Sequence, residues 1–137
     1  MPLQCLRLAR NGLLLLTCAI ASGCAAYVEK GAQGLPDNET AKIRAIDKFL
    51  TIATVDGVDT WWIVYTSRRE YRLTPGPHRL EVKRWIDTRA TPSIFRDVTL
   101  VAGREYGMKR VESDDWFGFV IEDLATGERV DSLIGGR

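Results

Sequence analysis

The 137-residue chain predicts an all-β domain, an antiparallel β-sandwich of about seven or eight short strands. Three observations carry that expectation. Apolar and polar residues alternate with a period of two in several runs beyond Thr40, the spacing that puts one strand face in a core and the other in water. Turn signals built on Gly, Pro and Asp separate those runs at intervals of roughly 10 residues or somewhat more. The runs themselves are rich in aromatic and β-branched residues, which suit a pleated, half-buried surface.

The first element is not part of that domain. Arg7 and Arg10 are the only charges before Glu29, and an uncharged run from Asn11 to Ser22 follows them, centred on Leu13 to Leu16. A basic start, an apolar middle and small residues at its end form the grammar of a secretory signal. The run is well short of the about 20 apolar residues a membrane-crossing helix needs. The segment Ala21-Ser22-Gly23-Cys24 resembles the lipobox of bacterial lipoproteins. The resemblance implies cleavage before Cys24, a diacylglycerol on its thiol and a further acyl chain on its freed amine. Ala25 follows the cysteine, and lipoproteins that lack Asp there are generally sent to the outer membrane. The expected divisions are therefore a signal peptide over 1–23, a lipidated cysteine with a flexible tether over 24–40, and a β-domain over 41–134. The expected location is the outer membrane, anchored by lipid and facing the periplasm, with display on the cell surface as the other orientation.

Cysteine and charge counts then exclude several chemistries. Cys5 and Cys18 leave with the signal and Cys24 is acylated, so thiol catalysis and cysteine-ligated zinc drop out together. The whole chain has 19 Lys and Arg against 18 Asp and Glu, and Arg7 and Arg10 go with the signal, leaving 17 against 18 and a net charge of −1. That balance argues against nucleic acid as a partner.

Residues 25–40 hold Gly31, Gly34 and Pro36 without periodicity and read as the tether, with a reach on the order of 20 to 25 Å. The stretch 38–50 supports two readings. Ile43, Ile46, Phe49 and Leu50 have helical spacing behind an Asn38 cap. The preferred reading is a short strand at 41–45, a turn near Asp47-Lys48 and a second strand. "FLTIATVDG" alternates into Asp56-Gly57, a strong hairpin signal. "TWWIVYTS" has strand composition. Pro75-Gly76-Pro77 separates two extended runs, because proline presets φ and lacks a donor while glycine tolerates positive φ. "HRLEVKRWI" has one dry and one wet face. "IFRDVTLVAGREYGMKRV" and "WFGFVIEDLATGERVDSL" repeat the strand–turn–strand scheme around Ala102-Gly103 and Thr126-Gly127. Leu50, Ile52, Leu80, Val82, Val98, Leu100, Tyr106, Met108, Phe119 and Ile121 are the expected core.

The turns at 54–57 and 73–82, the Ala102 to Tyr106 turn-and-strand and the Glu122 to Gly127 segment together resemble PEGA-type and related small β-domains of bacterial envelope proteins, including proteobacterial lipoproteins. The resemblance spans most of 41–131 and implies an antiparallel β-domain with no known catalysis.

Candidate chemistry is sparse. His78 is the one histidine, with no Gly-x-Ser-x-Gly elbow to serve, and the expectation is a ring bonded to a nearby backbone carbonyl. Asp114-Asp115 and Glu122-Asp123 are the acid pairs, but adjacent strand residues face opposite ways, so neither pair converges by itself. Calcium-loop spacing is absent, and neither a metal nor a cofactor is expected. The basic concentration Arg68, Arg69, Arg72, Arg79, Lys83 and Arg84 suits an anionic partner or a solvated hairpin. Trp61 and Trp62 face opposite ways in a strand, which leaves one of them for a second buried layer or for a binding surface. No catalytic residue is expected; Trp62, Arg68 and Arg69 are the candidate partner-binding residues. The expected function is a binding or structural role in the cell envelope, with envelope proteins, peptidoglycan or lipopolysaccharide as partners. An envelope hydrolase built on the acids and a surface adhesin or antigen are the alternatives.

Overall fold

The computed structural model describes residues 26–60, 68–86, 89–111 and 118–133. These form eleven strands and two 3₁₀ turns. The strands are β1 (Ala26–Val28), β2 (Ala41–Ala45), β3 (Leu50–Val55), β4 (Val58–Asp59), β5 (Glu70–Leu73), β6 (Gly76–Ile86), β7 (Arg89–Ala90), β8 (Ile94–Leu100), β9 (Glu105–Val111), β10 (Gly118–Asp123) and β11 (Asp131–Leu133). The signal segment, Cys24, Trp61, Trp62, Asp114, Asp115 and Trp116 lie outside the described residues.

Two sheets carry the fold. The first runs β1-β5-β2-β9-β10 and the second β11-β8-β6-β3-β4, with β7 added to β6. All pairs of the second sheet are antiparallel. The first sheet is mixed: β1 lies parallel to β5, and β2 parallel to β9. The expectation of a wholly antiparallel domain of seven or eight strands therefore needs correcting. The parallel pairs arise because consecutive strands leave one sheet for the other. β2 to β3, β5 to β6, β8 to β9 and β10 to β11 each cross between sheets. A strand returning after two crossings can lie in either direction beside its neighbour. Asp56-Gly57 alone among the expected turns makes a hairpin within a sheet, joining β3 to β4. Its two residues have φ of 52° and 80°, as a two-residue hairpin loop requires.

The stretch 38–50 adopts strand, turn and strand, as the preferred reading has it. All ten expected core residues are buried and form one cluster with Ala41, Ile43, Tyr71 and Leu73, drawn from both sheets. Burying each large apolar side chain contributes about 1.5–3 kcal/mol, so this shared interior is the main stabilising feature.

Residues 26–40 are not a tether. β1 pairs in register with β5, Ala26 opposite Glu70 and Val28 opposite Arg72. The Glu29 carboxylate accepts hydrogen bonds from the Thr74 backbone N–H at 2.7 Å and hydroxyl at 2.8 Å. Ala32 is fully buried, and the Thr40 carbonyl accepts the Gly103 N–H at 2.8 Å. The segment is held by backbone pairing and by two carboxylates, Glu29 on Thr74 and Asp37 on Arg72 of β5 and Lys42 of β2, none of which needs an apolar period.

Candidate functional site

A polar recess lies where the Asp56-Gly57 turn meets the start of β6. It is an open depression of about 540 Å³, with Asp56, His78, Arg79, Asp97 and Ser132 among its lining. His78 is buried. Its Nδ1 lies 2.6 Å from Asp56 Oδ2 and its Nε2 lies 2.8 Å from the Thr74 carbonyl oxygen. The second Asp56 oxygen accepts the Arg79 backbone N–H at 2.7 Å. Each ring nitrogen therefore faces an oxygen of the fold, one carboxylate and one main-chain carbonyl.

An Asp–His pair is two-thirds of a catalytic triad, yet this one is turned inward. A general base needs a free nitrogen lone pair within reach of a nucleophile. Here Nε2 points at a main-chain carbonyl, as the expectation of a carbonyl-bonded ring has it. The Ser132 hydroxyl donates to the Asp97 carbonyl at 3.4 Å instead. The ring's visible work is to tie the hairpin turn to the corner that carries the chain between sheets.

Glu29, Asp56 and His78 bring potential ligand atoms within 4.8 Å of one another. The Glu29 oxygen is engaged by Thr74, and both His78 nitrogens are engaged as above. A cation would have to displace those bonds, so the donor set fits the fold better than it fits a metal.

The acid pair on β10 separates. Glu122 ion-pairs with Lys109 across the strand pair at 2.6 Å. Asp123 is buried and accepts the Ala125 and Thr126 N–H groups at 2.8 and 3.2 Å, capping the turn, with Arg104 at 3.3 Å. Asp115 and Trp62 lie outside the described residues. The basic concentration is dispersed. Arg68 and Arg69 stand before β5, at the end of the first sheet where β1 begins. The Arg68 guanidinium lies 5.6 Å from the centre of the Tyr27 ring, and Arg69 is exposed. Arg72 pairs with Asp37. Arg79, near the opposite end, pairs with Asp97 at 3.1 Å, and that bond holds its guanidinium above the ordinary arginine range.

Sequence reasoning misses the most heavily used carboxylate. Asp131 is buried and takes four donors: Ile121 N–H at 2.8 Å, Arg129 Nε at 3.0 Å, Arg129 Nη2 at 3.1 Å and Arg96 Nε at 2.9 Å. Arg96 is itself buried, 4.5 Å from the Phe119 ring centre. Burial pushes the Arg96 pKa down while Asp131 pulls it back up. Asp131 on β11 thereby joins the second sheet to Ile121 on β10 of the first. The pattern "RVDSL" contains the strand alternation, but nothing in it marks which acid turns inward.

No protein-family model, curated protein or solved structure matches this chain.

Proposed function

We propose that this chain is an outer-membrane lipoprotein, anchored through Cys24, whose PEGA-like β-domain has a non-catalytic binding or structural role in the cell envelope. The two sheets are read as the layers of a β-sandwich, which their shared core supports. The anchor rests on the basic start, the apolar run and Ala21 to Cys24. The single observation behind the non-catalytic reading is the engagement of His78, whose two nitrogens both serve the fold. The separation of Glu122 from Asp123 points the same way. Trp62, Arg68 and Arg69 remain the residues assigned to partner capture.

Complementation of a deletion strain tests this. Asp115→Ala and Glu122→Ala should restore the envelope phenotype fully, while Trp62→Ala or a double change at Arg68 and Arg69 should weaken capture of a crosslinked envelope partner. An acid variant that is exported and folded yet behaves like the deletion would transfer the reading to an envelope hydrolase.

A further inference from the structure

β1 begins two residues after Cys24. Two residues of extended chain span at most about 7 Å. β1 is held in register beside β5, so at most that length of chain separates the residue proposed to carry lipid from one fixed end of the first sheet. The strand registers show what else is there. Ala26 is opposite Glu70, which is opposite Arg44. Ala45 is opposite Met108, two strands further into the sheet. The turn after β2 and the last residue of β9 therefore lie at the same end as the start of β1. The turn is about two strand spacings, or roughly 10 Å, from β1.

That end exposes apolar side chains. Ile46 is 52% exposed, Phe49 41% and Val111 36%. Lys48 lies 4.8 Å from the Phe49 ring centre, and Arg68 and Arg69 stand beside the start of β1. Asp47 and Glu70 are the described acids there. In the sequence Glu112, Asp114 and Asp115 lie between β9 and β10, and the contact does not rest on net charge. It rests on apolar side chains entering the boundary between headgroups and acyl chains, with the cations placed at phosphate level.

We infer that this end of the domain is a membrane-seating surface. Its occupant is the phospholipid layer into which the Cys24 acyl chains insert, with Phe49, Ile46 and Val111 facing the lipid and Arg68 and Arg69 meeting headgroup phosphates. The inference rests on the lipoprotein reading and deepens it: the basic pair gains a ligand class, and the domain gains a fixed orientation. Ala102, in the turn between β8 and β9, then points away from the membrane from the opposite end of the fold.

The test uses the full chain, exported, purified with its lipid and reconstituted into phosphatidylethanolamine and phosphatidylglycerol vesicles containing brominated acyl chains. Lys48→Cys and Ala102→Cys are each labelled with an environment-sensitive fluorophore. With Cys5 and Cys18 removed alongside the signal and Cys24 acylated, the introduced thiol alone takes the label. Bromine quenching at position 48 should exceed that at position 102 by about threefold or more, since the membrane-facing side sits only 5–10 Å into the boundary. Equal quenching at both positions, with Cys24 acylated by mass spectrometry, overturns the seating and leaves the lipoprotein reading standing. An unacylated Cys24 overturns both.

Discussion

Tyr71 shows how much one hydroxyl can hold. The ring is fully buried in β5, and its oxygen accepts the Ile52 N–H at 3.1 Å and donates to the Arg68 carbonyl at 3.3 Å. Ile52 needs that acceptor because β3 bulges between Ile52 and Thr54, which interrupts the ladder to β6. Thr60 secures the other side of the bulge, its hydroxyl donating to the Ile52 carbonyl at 2.5 Å. Tyr71→Phe strands a buried donor and should cost about 1–3 kcal/mol in urea unfolding. Burial pushes the phenol pKa up from 10.0 to about 12. The folded state therefore holds this proton more tightly than the unfolded chain. Its stabilising contribution is intact below pH 10 and is lost as pH rises toward 12. The stability gap between the native chain and Tyr71→Phe should accordingly narrow across that window; a gap that stays constant would place the hydroxyl in water. Asp131 is the second such residue. Its replacement by Ala leaves Arg96 charged and unpaired in the interior, and should cost about 3–5 kcal/mol by the same measurement. A change within experimental scatter would mean that Arg96 escapes to solvent.

At the scale of elements, the sequence makes strands and core positions legible and leaves connections illegible. The ten expected core residues follow from alternation, because a strand that reads Leu80-x-Val82 has one way to hide both side chains. Tyr106 is more legible still. Its hydroxyl accepts the Val101 N–H at 2.9 Å, closing the Ala102-Gly103 turn that its own motif announces. The crossings are not legible, since a turn that joins neighbours and a turn that changes sheets use the same residues. β1 is missed for a different reason. Three residues in parallel pairing have no alternation to display, and Glu29 acts on Thr74, 45 positions away. Deletion of residues 25–40 separates the two readings of that segment. Loss of β1, the Glu29 bonds and the burial of Ala32 should lower stability by about 3 kcal/mol or more. A tether would leave the urea midpoint unchanged.

Over the whole molecule, two sheets enclose one interior and are joined by side chains that reach across it, Tyr71 from β5 to β3 and Asp131 from β11 to β10. The candidate site is legible only in part. His78 bonds a backbone carbonyl as expected, but its Asp56 partner lies 22 positions earlier, and only the fold brings the two together. Among the described residues, no helix is long and apolar enough to cross a membrane. The proposed attachment rests on Cys24 and the segment before it. The measurement that bears on it most directly is intact-mass and peptide mass spectrometry of the chain recovered from the membrane fraction. The account predicts a mature chain that begins at Cys24 and carries diacylglycerol on the thiol, with a further acyl chain on the amine. A mature chain that begins elsewhere, or one with an unmodified Cys24, would contradict it.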